Sequence, residues 1–300
     1  MSGGDPVRDG ILLIDKEPGW TSHDIVARLR RLTGQPRIGH TGTLDPAASG
    51  LLVACLGRAT RLVEFMMGHE KRYTGRVRLG LRTTTDDAEG EVLERRPVPE
   101  LDAAALRPVE EQFTGTISQL PPAYSAVKVG GRRAYSLARS GQQPKVKPRL
   151  VTIHALRLQG GEDETIEIEV ECGPGTYVRS LARDIGDALG CGGHLSRLHR
   201  TRVGDYDVSD ANTLADLERL SEAQMLDRAM LSTDDGIVAL PALLLRDEAA
   251  GALAQGIPSR AEAVRAVDPV RIFSASGQFV GVGNVDTDGT IRCRKVLAGS

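Results

Sequence analysis

Two segments of strict alternation limit what this chain can fold into. Lys71-Arg72-Tyr73-Thr74-Gly75-Arg76-Val77-Arg78-Leu79 puts Tyr73, Gly75, Val77 and Leu79 on one side and Arg72, Thr74, Arg76 and Arg78 on the other. Glu164 to Cys172 sets Ile166, Ile168, Val170 and Cys172 against Glu167, Glu169 and Glu171. Side chains of period two belong to a strand with one face in the core and one in water. The second segment ends at Gly173-Pro174-Gly175, and Val178, Leu181, Ile185 and Leu189 then recur at helical spacing. Half-buried strands alternating with amphipathic helices predict an α/β (α+β) protein.

The remaining segments fit that class. Gly10-Ile11-Leu12-Leu13-Ile14 reads as a buried strand. Ser22 is the expected cap of a helix whose face is Ile25, Val26, Leu29 and Leu32 and whose stop is Gly34. Asp45-Pro46 has the form of a helix start, so Ala47 to Leu56 is expected to be a short helix running into a strand. Thr60–Met67 and Leu101–Phe113 predict helices, and Thr176 is the expected cap of the helix carrying Tyr177 and Arg179. The stretch from Gly190 to Arg202 is read for its small residues, which permit close packing, and for arginines that could meet phosphate. The acidic stretch after Val203 predicts a solvent-facing helix. From Pro241 onward one helix (Arg246–Gln255) and three short strands near Val270–Phe273, Gln278–Val282 and Thr290–Val296 predict a small β-rich module. The expected units are therefore 8–237 and 238–300.

Hydrophobic residues at 40% and charged residues at 26% describe an ordinary core and surface. No apolar run is long enough to span a bilayer, and the first residues lack the basic and apolar regions of a secretory signal, so a cytoplasmic protein without membrane contact is expected. Cys55, Cys172, Cys191 and Cys293 lie far apart with no Cys-x-x-Cys pair, which predicts reduced thiols and no zinc site.

The net charge of −2 conceals a segregation. Between Gln112 and Gly161 there are eight Lys and Arg and no acid, whereas Val203–Gly236 holds nine acids against Arg219 and Arg228. A local basic field attracts a polyanion even when the total charge is near zero. Within the basic block, 120–148 is rich in Pro and Gly and carries Tyr124, Tyr135, Lys128, Arg132 and Arg133. Such an arm suits a phosphate backbone and is expected to order on binding RNA.

The chemistry centres on Gly39-His40-Thr41-Gly42-Thr43-Leu44-Asp45-Pro46, one carboxylate among glycines, hydroxyls and a histidine. No Gly-Lys-Ser/Thr follows, so this is not a phosphate-binding P-loop. By spacing alone it is a glycine-rich turn with a capping aspartate. As a run of eight residues it resembles the catalytic motif of the TruB family of pseudouridine synthases. Three further segments resemble motifs of that family in the same order: Lys16-Glu17-Pro18-Gly19, Lys71-Arg72-Tyr73, and Gly175-Thr176-Tyr177-Val178-Arg179-Ser180-Leu181. Thr43 stands where some members have alanine, and Pro174 is an added proline before the last motif.

The resemblance implies a pseudouridine synthase fold: a central mixed, largely antiparallel sheet with a cleft across its face, followed by a PUA-like RNA-binding module. It implies a tRNA T-arm substrate, isomerised at the T-loop uridine, position 55, without cofactor or metal. It makes Asp45 the essential carboxylate, Arg179 its partner and Tyr73 the platform under the flipped base. Tyr177 and Leu198 would close the pocket, His40 would contact RNA, Lys16 would buttress the loop, and Lys128, Arg132 and Arg133 would grip the backbone. A monomer with no obligate protein partner is expected. The competing readings are a non-catalytic RNA-binding or RNA-folding protein and a guide-RNA-dependent synthase. An aspartate is ionised at neutral pH with an ordinary pKa of about 3.9, so it needs no separate base to activate it.

Overall fold

The structure, a computed structural model, describes residues 8–298 except Ala126, Gly141, Gln143 and 261–264; the side chains of Arg133 and Arg139 also lie outside the description. Its centre is a ten-stranded mixed sheet. The strands are β1 (Gly10–Lys16), β2 (Ile38–His40), β3 (Ser49–Leu56), β4 (Lys71–Leu79), β5 (Gly115–Gln119), β6 (Arg149–Gly160), β7 (Thr165–Cys172), β8 (Gly193–Val203), β9 (Tyr206–Asp207) and β10 (Met230–Leu231). The main order is β10-β1-β3-β8-β4-β7-β6-β5, with β2 beside β3 and β9 beside β8. All pairs are antiparallel except β3 with β8. This is the mixed, largely antiparallel sheet that the family resemblance implies.

The two ends of the sheet are buried differently, and the sequence pattern says why. In β1 and β3 successive residues enter different cores: Leu12, Ile14, Leu52 and Ala54 face one, Ile11, Leu13, Leu51 and Val53 the other. Strands covered on both faces carry continuous apolar runs. β4 and β7 are covered on one face only. There Tyr73, Val77, Ile166, Ile168 and Val170 join the first core under helices α1 (Ser22–Thr33), α2 (Ala103–Phe113) and α3 (Val178–Ala188). On the outer face Arg72 pairs with Glu171 at 2.7 Å and Arg76 with Glu167 at 2.5 Å, each directly across the strands.

A five-stranded sheet follows: β11 (Ala242–Leu245), β12 (Ser259–Arg260), β13 (Val267–Ser274), β14 (Phe279–Val285) and β15 (Thr290–Val296), in the order β11-β13-β14-β15-β12. Its own core lies between the sheet and the helix Asp247–Ala254. Val282 and Leu297 reach across to the β1–β3 core, and Arg61 donates to the Val296 carbonyl at 2.6 Å. Among the described residues no helix is long and apolar enough to cross a membrane.

Several local expectations need correction. Asp45-Pro46 starts no helix: Ala48 N–H closes a single turn on the Asp45 carbonyl at 3.1 Å, and the chain then extends as β3. Thr21, not Ser22, caps α1, in a reciprocal pair with Asp24; Ser22 instead bonds both backbone groups of Leu44. Thr176 caps nothing, because its hydroxyl donates to the Gly173 carbonyl and Tyr177 is the capping position. The segment after Gly192 is β8, a central strand, whose register shifts at Leu195/Arg197 and Arg200/Arg202 break the period-two pattern. The acidic stretch contains the helix Leu214–Glu222, whose Leu217 is fully buried rather than solvent-facing. The basic arm holds a short ladder, Lys128–Val129 with Arg132–Arg133, and the helix Ala134–Arg139.

Gly50 is where β8 crosses β3. Its φ is +97°, and a Cβ there would stand 2.3 Å from the Arg200 carbonyl oxygen. Gly34, which ends α1 at φ +67°, has open space instead. Gly34→Ala is expected to cost about 1 kcal/mol of unfolding free energy from backbone strain alone. Gly50→Ala adds a backbone clash and should cost clearly more. Urea titrations of both variants check the ranking, and equal losses would mean that β3 and β8 do not require this close approach.

Candidate active site

The loop Gly39–Ser49 leaves β2 and returns into β3, and three polar side chains fix its backbone. Ser22 holds Leu44 through its carbonyl at 3.1 Å and its N–H at 2.9 Å. Lys16, fully buried at the end of β1, donates to the carbonyls of Glu17, Trp20 and Pro46 at 3.0, 2.8 and 3.3 Å. Arg200 on β8 donates to Gly42 at 3.1 Å and to Leu51 at 2.7 Å. Gln119, at the end of β5, does the same for the other loop by taking the N–H of Tyr177 at 2.8 Å and donating to its carbonyl at 3.1 Å. The buttress expected of Lys16 is present. Burial, then the nearby Arg200 charge, holds its ammonium below the usual lysine pKa.

Asp45 and Arg179 meet. Arg179 Nη2 donates to Asp45 Oδ1 at 3.3 Å, and Nε lies 2.9 Å from Oδ2 as an ion pair, off the line a hydrogen bond requires. The same guanidinium reaches Asp87 Oδ2 at 3.2 Å, the Thr85 carbonyl at 3.1 Å and the Tyr124 carbonyl at 3.0 Å. The Arg179 side chain is 8% exposed and that of Asp87 15%, whereas Asp45 is 41% exposed. Arg179 is thus locked from behind, and Asp45 is the member of the trio that presents an open carboxylate. Arg183, one turn along α3, pairs with Asp86 and Asp184, both at 2.8 Å. Burial pushes the Asp86 carboxyl above the usual range despite that partner.

The other expected residues gather around this trio or stand apart from it. Tyr73 lies on the core-facing side of β4, almost fully buried, and burial raises its phenol above the usual value while Arg200 opposes the shift. Leu198 pairs with Gly75 on β4; a Cβ on Gly75 would lie 3.5 Å from Leu198 Cδ1, so the side chain spreads over the strand beside Tyr73. Tyr177 is at the N-terminus of α3, with the Arg149 guanidinium 4.7 Å above its ring. His40 stands edge-on to His23 at 6.0 Å between ring centres, and burial, then the neighbouring His23 and Arg200 charges, lowers its pKa. Lys128 and Arg132 are exposed on the basic arm, and the Arg133 side chain lies outside the described residues.

Three participants were missed in the sequence. Asp87 lies in a polar turn, Thr83-Thr84-Thr85-Asp86-Asp87-Ala88-Glu89-Gly90, to which the sequence reading assigns no part in the site. Two adjacent acids in a turn, with Arg179 and Arg183 four residues apart on one helix face, were the available signal. Gln119 carried no signal. Arg200 was grouped with arginines able to meet phosphate, yet it is 2% exposed and bonded to backbone carbonyls.

The profile for TruB family pseudouridylate synthase (N terminal domain) matches residues 30–178. That for the tRNA pseudouridylate synthase B C-terminal domain matches 179–238, and that for pseudouridine synthase II TruB, C-terminal, matches 241–297. The tRNA pseudouridine synthase B of Thermobifida fusca is 52% identical over 217 residues, covering 70% of this chain and 74% of that protein. The tRNA pseudouridine synthase B of Ectopseudomonas mendocina is 40% identical over 296 residues, covering 96% and 95%. Among solved structures, a chain of a Cbf5-Nop10-Gar1 complex superposes with a TM-score of 0.74 at 26% identity, over 96% of this chain and 84% of that one. A chain of an H/ACA RNP bound to a substrate RNA containing 2'-deoxyuridine gives 0.75 at 23%, over 98% and 86%, a likeness of fold. The carboxylate loop, the strand bearing Tyr73 and the helix bearing Arg179 thus lie in a chain that belongs to the TruB family of pseudouridylate synthases.

Proposed function

We propose that this protein converts the T-loop uridine of tRNA, position 55, to pseudouridine, with Asp45 as the essential carboxylate acting on a flipped-out base. Its relatives and family profiles make it an enzyme that isomerises tRNA uridine to pseudouridine. The position in tRNA and the roles of individual residues are our reading. One observation carries it: Arg179 is buried between Asp45 and Asp87, and of those two carboxylates only Asp45 stays open to a ligand.

The isomerisation breaks the N–C glycosidic bond, turns the uracil and joins C5 to the ribose. No electrons enter or leave, so an ionised carboxylate and a shaped pocket are what the reaction asks of the protein. A charge-assisted pair with Arg179 aims Asp45. A base inside an RNA loop must leave its stack to reach that carboxylate. Stacking on an aromatic ring contributes about 1–3 kcal/mol per base, which offsets that cost. We assign this platform to Tyr73, with Leu198 and Tyr177 closing the pocket. Burial raises the Tyr73 phenol, which disfavours the phenolate, so stacking is the role better supported than removal of the C5 proton. His40, held toward its neutral form, suits contact with the opened RNA loop.

The exposed Lys128 and Arg132 suit a grip on the T-arm backbone, the arm settling further when RNA is bound. Tyr124, at the root of that arm, bonds Arg179 through its carbonyl, so a grip there bears on the site. Residues 8–237 would carry the catalysis, and 238–300, a PUA-like module, would extend the RNA contact. Likeness to a tRNA pseudouridine synthase B over 96% of this chain supports a stand-alone enzyme over a guide-dependent particle, and we read it as a cytoplasmic monomer.

Tritium release from a tRNA T-arm hairpin labelled at uracil C5 tests the reaction. Asp45→Asn should lower release by more than about 10⁴-fold while the hairpin still binds. Tight binding with no release by the native protein, from this hairpin or from bulk tRNA, would leave an RNA-binding protein. Arg179→Lys keeps the charge but cannot reach all its acceptors at once, and a drop on the order of 100-fold in single-turnover rate is expected. Lys128→Ala and Arg132→Ala should each reduce the salt slope of RNA affinity by about 1, with an unchanged rate at saturating RNA. An unaltered slope would remove the arm from the backbone contact.

A further inference from the structure

Among the described residues Arg200 is the largest fully buried side chain, at 2% exposure, and it forms no ion pair with any Asp or Glu. Taking a cation out of water costs several kcal/mol unless its hydrogen bonds are supplied. Here they come from backbone carbonyls: Leu51 at 2.7 Å, Gly42 at 3.1 Å and, at the edge of bonding distance, Thr43 at 3.5 Å. Gly42 and Thr43 stand three and two residues before Asp45, so two of the three acceptors belong to the loop that carries the carboxylate. Leu51 lies in β3, into which the same loop returns.

Strand register gives Arg200 a second attachment. It is the direct cross-strand partner of Tyr73 on β4 and of Gly50 on β3. Gly50 lacks a side chain where one would strike the Arg200 backbone, which lets the strands approach closely. The guanidinium charge also reaches the Tyr73 phenol, where it works against the dominant effect of burial. Burial first, and then this same charge, lowers the pKa of Lys16 and of Lys71, the latter to about 8. Arg200 therefore stands at the junction of the carboxylate loop, the stacking strand and the basic groups around them.

We propose that Arg200 is the positioning residue that couples the two halves of the site: it fixes the Gly42–Thr43 backbone ahead of Asp45 and holds β8 against the strand bearing Tyr73, so that carboxylate and ring keep one separation while the base turns between them. It touches no substrate. The inference rests on the functional reading above, since a fixed distance between Asp45 and Tyr73 matters only if both act on one base.

The test compares Arg200→Lys and Arg200→Gln with the native protein. For each we would measure the thermal unfolding midpoint, the Kd for tRNA and the single-turnover rate of tritium release at saturating tRNA. Lys keeps the charge without the planar fork, and Gln keeps donors without the charge. The expected result is a native midpoint and a Kd within about twofold in at least one variant, with a rate lower by about 100-fold, the scale of a misplaced reacting group. A purely structural arginine would move the midpoint and leave the rate of the folded fraction alone. A folded variant that keeps the native rate overturns the proposal. So does failure of both variants to fold, which would make Arg200 a core residue. No release by the native protein from any tRNA would instead overturn the functional reading, and that result is seen before any variant is compared.

Discussion

A buried guanidinium must find its acceptors inside the protein, and Arg179 finds them on three separate segments. Asp45 comes from the loop before β3, Thr85 and Asp87 from the turn after β4, Tyr124 from the root of the basic arm, and Arg179 itself from the first turn of α3. None of these is near another in sequence. Their common partner makes assembly of the site cooperative with docking of the loops, because a loop that leaves takes an acceptor from a buried charge. Removing one partner of such a group costs far more than the bond contributes while it is made. The arm that we assign to the RNA backbone and the carboxylate that we assign to the base are thereby held through one side chain.

The sheet supplies the rigid frame for this arrangement. β4 and β8 lie side by side at its middle, one presenting Tyr73 and the other Leu198 and Arg200. β3 lies on the far side of β8 and carries the chain out of the carboxylate loop. Among the described residues that junction is the one parallel pair between strands of the large sheet, and the site is built around it. Functional side chains held by packed strands keep their geometry better than those on free loops. The second core, shared by β1, β3 and the β14–β15 sheet, fastens the C-terminal unit to the opposite face of those strands.

How much of this was legible follows the physics of each segment. β4 and β7 were readable because one face is wet: their outer arginines and glutamates mark the period. β8 was not, because two register shifts spoil the alternation and because an arginine, Arg200, occupies a buried position that pattern reading reserves for apolar residues. The eight-residue motif pointed to Asp45 and the third motif to Arg179, but their contact spans 134 positions and is a fact of topology. Asp87 was hidden for the opposite reason. A polar turn with two acids looks like any solvated loop until its arginine partner is found.

The mistaken helix at Asp45 is instructive about the chemistry. Had Pro46 opened a helix, free N–H groups of its first turn would have bonded the Asp45 carboxylate, as capping aspartates are bonded at Asp102 and Asp207 in this chain. A carboxylate satisfied in that way is stabilised as a resting anion and its lone pairs are spent on backbone. The chain avoids this by making one turn and extending into β3. Among the described residues Asp45 then accepts from Arg179 alone, which leaves lone pairs facing the open side. The same Asp-Pro that would terminate a surface loop elsewhere becomes, when strand follows instead of helix, a charge held by one side chain and available to a ligand. Local propensity favoured the helix; Ser22 on Leu44, Lys16 on Pro46 and Arg200 on Gly42 override it by fixing the loop backbone from three directions.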